Sequence, residues 1–268
     1  MLKQLQQRFN LVLTSIPVLT TLTVTASPSI AATFASSDSI AFLYEFSQTP
    51  LSVETLADTE TFAFASQGSV DANADADAIF QQTLIPYAEN YSSAIASGEG
   101  KEYLGIANSE AAVIGRNFFI EAGSTFSFDF VSVFDLETSI DNPLGEAAIA
   151  EGNISFFLFD DSTENIIDYF TISGKLKTAG DGDFLEVQQS SNFLIQDFEF
   201  QDFEGNQEFI YAVYLGQYFS QEFSEDTSLT LVEVKTNSVI VKAPEPSSFV
   251  AFFIFGVTGM ALRKRKQS

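Results

Sequence analysis

Between residues 125 and 133 the chain reads Thr-Phe-Ser-Phe-Asp-Phe-Val-Ser-Val, so Phe126, Phe128 and Phe130 recur at every second position with Ser127 and Asp129 between them. A two-residue period puts the rings on one face of an extended strand and the polar groups on the other, the pattern of a half-buried sheet. An amphipathic helix cannot use it, because its apolar stripe needs steps of three and four. The rest of residues 33–243 carries the same message. Residues 154–159 form a nearly continuous apolar run, the polar segment 160–165 follows, and 166–176 return as a second strand, which predicts a hairpin. A second hairpin is predicted from 198–203, the turn residues Glu204, Gly205 and Asn206, and 209–215. Residues 228–235 and 238–242 read as the last two strands. Turn signals at Gly68, Gly98-Glu99-Gly100, Gly123, Asn142-Pro143, Gly152, Gly174, 180–183 and Gly205 divide the body into about ten short strands. The predicted fold is all-β: an antiparallel β-sandwich of jelly-roll type, in one domain. No fixed-period repeat points to a solenoid or propeller.

Composition narrows the chemistry. Phe, at 29 residues, supplies most of the large apolar side chains, each contributing about 2 kcal/mol of transfer free energy when buried. There is no Cys, His or Trp. Disulfides, thiolate nucleophiles, Ser-His-Asp triads and His-based zinc sites are therefore excluded. Of the 36 acidic residues, 35 fall within 33–243, against 6 basic ones, which leaves that stretch at −29. Such a body repels nucleic acid and anionic lipid, so no nucleic-acid partner is expected.

The two ends differ from the body. Lys3 and Arg8 precede the apolar, Thr-rich stretch 11–26, and small residues follow at Ala31 and Ala32. That order predicts an N-terminal signal peptide over residues 1–32. At the other end, Pro244, Glu245 and Pro246 lead into the apolar stretch 249–262, which stops at Arg263, Lys264, Arg265 and Lys266. Fourteen apolar residues make a helix of about 21 Å, short of the roughly 20 residues a stable span needs. A short transmembrane helix with its basic end in the cytoplasm is expected, held only transiently.

This three-part tail, Pro-Glu-Pro, short apolar helix, basic cluster, resembles the PEP-CTERM sorting signal of bacterial envelope and biofilm-matrix proteins. The resemblance covers 244–266. It implies export through the inner membrane, transient anchoring, processing near the motif by an exosortase-like membrane protease, and delivery to the outer surface or to extracellular polysaccharide. It carries no activity over to the body.

Within the body, Asp71, Asn73, Asp75 and Asp77 sit at alternate positions like the start of a calcium loop. The Gly and the bidentate Glu that an EF-hand needs are absent at Ala76 and Gln82. A strand with Val70, Ala72, Ala74, Ala76 and Ala78 facing inward accounts better for the alternation. Asp160, Asp161 and Glu164 in one loop, with Asp181 and Asp183 in another, are the candidate calcium ligands, since carboxylates in loops at sheet ends supply the hard oxygen donors calcium takes; the alternative is a pair of solvated acidic turns. Tyr87, Tyr91 and Tyr103 offer rings on which a sugar could stack, and Tyr211, Tyr214 and Tyr218 read as strand residues with hydroxyls in solvent, but for each ring taken singly an interior or half-exposed place is the better reading. No motif singles out a catalytic pair among so many carboxylates. The expected function is a non-enzymatic, exopolysaccharide-associated envelope or matrix protein without a cofactor, and the alternative is a calcium-assisted carbohydrate-binding module.

Overall fold

A computed structural model describes residues 32–178 and 180–243. The signal peptide, Pro244, Glu245, Pro246, the 249–262 helix and the basic cluster Arg263, Lys264, Arg265 and Lys266 lie outside the described residues. The described chain is all-β. Ten strands follow in order: β1 (Ala32–Tyr44), β2 (Ser52–Gln81), β3 (Tyr87–Ile120), β4 (Ser127–Ser139), β5 (Ala147–Asp160), β6 (Asn165–Thr178), β7 (Phe184–Gln189), β8 (Phe193–Asp202), β9 (Gln207–Phe219) and β10 (Thr227–Lys242). All pairs are antiparallel, in the order β7-β6-β5-β10-β3-β1-β4-β9-β8, with β2 on the remaining side of β3.

The centre of this sheet is β3, whose 34 residues serve two halves. Residues 88–99 pair with β1 and residues 104–120 with β10, while β2 accompanies β3 almost throughout. Between the two stretches the β2–β3 hairpin bends back on itself. The Ser92 and Ser109 hydroxyls lie 2.6 Å apart, and a Cβ on Gly105 would sit 3.6 Å from that of Ala96. Glycine makes the bend. Gly68 and Gly100 have φ of 151° and 111°, and a Cβ there would stand 2.0 Å and 2.5 Å from the carbonyl oxygens of Glu99 and Gln67.

Bending brings the inward faces together. The Phe130 ring lies 5.0 Å from Phe156 and 5.2 Å from Phe170, so β4 covers β5 and β6. The outer edges, β7 and β8, are joined through residues 190–192. Ser190 N–H donates to Tyr169 O at 2.9 Å, and Phe219 N–H to Asn192 O at 3.0 Å. The result is a nearly closed, barrel-like antiparallel sheet with its core inside.

That core is uneven. Phe118, Phe126, Phe128, Phe130, Phe193 and Tyr218 are fully or almost fully buried and pack ring on ring. Opposite the middle of β10 the interior is polar. Glu233 and Lys235, both fully buried, form an ion pair, and Asn90 donates to the Glu233 carboxylate. Asn237 donates to Ser39 Oγ (2.8 Å) and Ser92 O (2.7 Å) and accepts from Ser37 Oγ (2.7 Å). Burial pushes the Glu233 carboxyl up and the Lys235 ammonium down, and their mutual attraction opposes both.

Several expectations change. The hairpins over 154–176 and 198–215 form as predicted, and 71–77 is a strand segment with its acids outward. Residues 228–242 make one strand, not two, because Asn237 points inward and finds partners there. Gly152 and Gly174 are not turns. They face each other across β5 and β6, where a missing Cβ lets the Phe134 ring lie against both backbones.

Candidate functional site

The predicted calcium ligands fall into two separate places. Asp160, Asp161 and Glu164 belong to the turn that enters β6, and Asp181 and Asp183 to the turn that leaves it. The strand between them has 14 residues, which at about 3.4 Å each spans roughly 45 Å, so the two groups cannot share an ion. Each is engaged locally. Asp160 Oδ1 accepts from Ser162 N–H (2.8 Å) and Ser162 Oγ (2.7 Å), which holds its carboxyl below the usual range. Asp161 accepts from Ser228 Oγ at 2.6 Å, and Asp183 from Lys177 N–H at 2.6 Å. Among the described residues no three acidic side chains gather in a way that could hold a metal.

The tyrosines divide differently from the sequence expectation. Tyr103 is buried, donating to Thr33 Oγ1 at 2.5 Å. Tyr214 and Tyr218 are also interior: their hydroxyls donate to Glu199 (2.6 Å) and Asp168 (2.7 Å) and do not reach solvent. Tyr87, Tyr91 and Tyr211 remain on the outside, and all three lie on one face.

That face is the outer side of β8, β9, β4, β1 and the adjoining halves of β3 and β2. In-register partners share a side of the sheet, so two neighbouring rows can be read directly. One runs Phe200, Tyr211, Asp135, Asp38, Ser93, Asp75. The next runs Phe198, Val213, Val133, Ile40, Tyr91, Asp77. The aromatic end is open to solvent, with Phe200 63% and Phe198 53% exposed. Toward the middle the rows become crowded and acidic. Burial raises Asp38 against a hydrogen bond with Ser93. Asp135 is raised from 3.8 to about 6, first by burial and then by Asp38 and Glu137. None of the six basic residues in the described body, Lys101, Arg116, Lys175, Lys177, Lys235 and Lys242, lies on these strands or half-strands.

Sequence reasoning missed this face because its rows join strands far apart in the chain. A signal was present: residues 40–44, 130–134 and 209–215 carry large apolar side chains at both parities, so their outer sides could not be wholly polar.

The crowding has a consequence for stability. A carboxyl whose folded value exceeds its unfolded one binds its proton more tightly when folded, so its contribution is full below 3.8 and is lost as pH rises through about 6. Asp135→Asn is expected to leave stability unchanged below the unfolded value of 3.8 and to raise it by about 1–2 kcal/mol at neutral pH, after discounting for partial exposure. Urea unfolding at the two pH values checks this; an equal effect at both would assign the gain to something other than the proton.

Compared with family models, with curated proteins and with solved structures, the chain matches none.

Proposed function

We propose that the chain is an exported, non-enzymatic envelope or extracellular-matrix protein associated with exopolysaccharide. In this reading it is held transiently by residues 249–262 and released by an exosortase-like protease near Pro244, Glu245 and Pro246. The order of the three tail segments carries the proposal, and the position of the motif supports it. The last strand ends at Lys242, and Ala243 N–H still donates to Tyr103 O at 3.2 Å, so a cut at the motif removes no strand. Likewise β1 begins at Ala32, where the signal peptide is expected to end. An acidic body without cysteine needs no oxidative maturation and stays dispersed through self-repulsion. Architecturally, we read the doubled sheet as a sandwich with a jelly-roll-like wrap, since the long β2–β3 hairpin crosses from one layer to the other.

Mass spectrometry of the protein recovered from its producing cells tests the proposal. A mature C-terminus close to Pro246 is expected, together with loss of residues 1–32. Retention of the 249–266 segment would mean a permanent anchor and would overturn the sorting reading.

A second reading, carbohydrate binding by the body, is favoured by the aromatic and acidic outer face. Its calcium-assisted form would require the 160–164 turn or the 181–183 turn to bind an ion alone.

A further inference from the structure

We infer that the outer face of the β8–β9–β4–β1–β3–β2 half binds an extended polysaccharide bearing free amino groups, laid across the strands along the row Phe200, Tyr211, Asp135, Asp38, Ser93, Asp75. The inference deepens the carbohydrate reading and rests on the matrix reading only for where such a polymer is met.

Three observations fix the class of ligand. First, the face is the outer surface of a sheet whose strand hydrogen bonds are already made, so it offers side chains and no backbone groups. A peptide partner would gain more at a strand edge, where main-chain donors and acceptors are free. Second, side chains along the row recur at the inter-strand spacing of about 4.8 Å, close to the repeat of an extended pyranose chain. Successive sugars therefore meet successive side chains. The row begins with two exposed rings, Phe200 at 63% and Tyr211 at 40%, which suit the apolar C–H faces of pyranoses. It continues into the carboxyls of Asp135, Asp38 and Asp75, which suit their polar rims, while the Ser93 hydroxyl between them is buried and hydrogen-bonded with Asp38. Third, the charge has one sign. The row carries three acids, Asp77 and Glu137 adjoin it, and no described base lies on β8, β9, β4, β1 or the 88–99 half of β3 with its β2 partners.

The sign of the charge separates the candidate occupants. Uronic-acid polymers, nucleic acid and anionic lipid are repelled. A second copy of the same face would set acid against acid. A neutral glycan would satisfy the rings but leave the crowded carboxylates without counter-charge. An ammonium on alternate or successive sugars supplies that charge, and can also sit over the Tyr211 ring. Protonated amines near Asp135 and Asp38 would in turn favour their ionised forms, relieving the crowding that raises them.

Retention of the purified full chain on partly deacetylated chitosan, fully acetylated chitin, alginate and poly-lysine tests this in mild acid, where the amines are charged. Strong, salt-sensitive binding to chitosan is expected, with weak binding to chitin and none to alginate. Asp38→Asn with Asp75→Asn should weaken chitosan binding by about tenfold or more while leaving the weak chitin binding unchanged. Phe200→Ala with Tyr211→Ala should weaken both. Circular dichroism and a melting curve confirm that each variant is folded. Equal retention on poly-lysine and chitosan, with no effect of the ring substitutions, would reduce the face to a general cation binder and overturn the inference. So would chitosan binding that ignores both variants, or no binding at all. A trimmed C-terminus without chitosan binding removes this inference and leaves the matrix reading standing; chitosan binding by a chain that keeps its tail does the reverse.

Discussion

Lys235→Met is expected to destabilise the protein by about 3–5 kcal/mol, among the largest effects of any single change. The reason lies in what it leaves behind. Lys235 and Glu233 are both fully buried and are each other's ionic partner. Removing the ammonium strands a carboxylate inside the sheet, which must then take up a proton or pay the cost of an uncompensated buried charge. Deleting both charges should cost far less, since the attraction between the pair is offset by the desolvation of both ions. Glu233→Gln combined with Lys235→Met keeps an acceptor for the Asn90 amide, which now reaches Glu233. That double variant is expected to recover most of the loss and to remove the pH dependence that Lys235→Met alone introduces. Urea unfolding of the wild type, both single variants and the double variant gives the coupling directly. A double variant as unstable as Lys235→Met would show that side-chain volume, and not the buried charge, sets the cost.

The same polar layer shows where sequence reading reached its limit. Strand identity was legible from local alternation, because residues such as Phe126, Phe128 and Phe130 report one face without any knowledge of their partners. The hairpins were legible because their two arms adjoin a turn. Register between distant strands leaves no local trace, and the candidate face depends on it: Asp38 meets Asp135 and Ser93, and Asp135 meets Tyr211, across strands that are not neighbours in sequence, and only Phe200–Tyr211 and Asp75–Ser93 lie within hairpins. The polar alternation of Glu233, Lys235 and Asn237 is locally indistinguishable from that of an exposed strand face. Only a layer above supplying Asn90, Ser37, Ser39 and Ser92 makes those residues interior. Tyr214 and Tyr218 reversed for the same reason, since carboxylates from β8 and β6 receive their hydroxyls inside.

Glycine misled in a different way, and Gly68→Ala tests the correction. Glycine's freedom marks a turn or a bend equally well, and at Gly68 and Gly100 the chain bends without leaving the sheet. An added methyl at position 68 would stand 2.0 Å from the Glu99 carbonyl oxygen, a separation that backbone must move to relieve. The substitution is expected to cost about 3 kcal/mol or more, from the clash added to an unfavourable φ, or roughly 6–12 °C in Tm for a domain of this size. Gly205→Ala is the control. Its φ of 89° also favours glycine, but nothing lies within 4 Å of the added Cβ, so only the conformational cost of about 1 kcal/mol remains. If both substitutions cost the same, the bend tolerates side chains and glycine is there for backbone freedom alone. A difference of the expected size makes the close approach of the two strands the structural reason for Gly68. Without that approach the Ser92 and Ser109 hydroxyls cannot meet at 2.6 Å, and the two halves of the sheet lose the contact that lets one bury the core while its outer face stays free to bind.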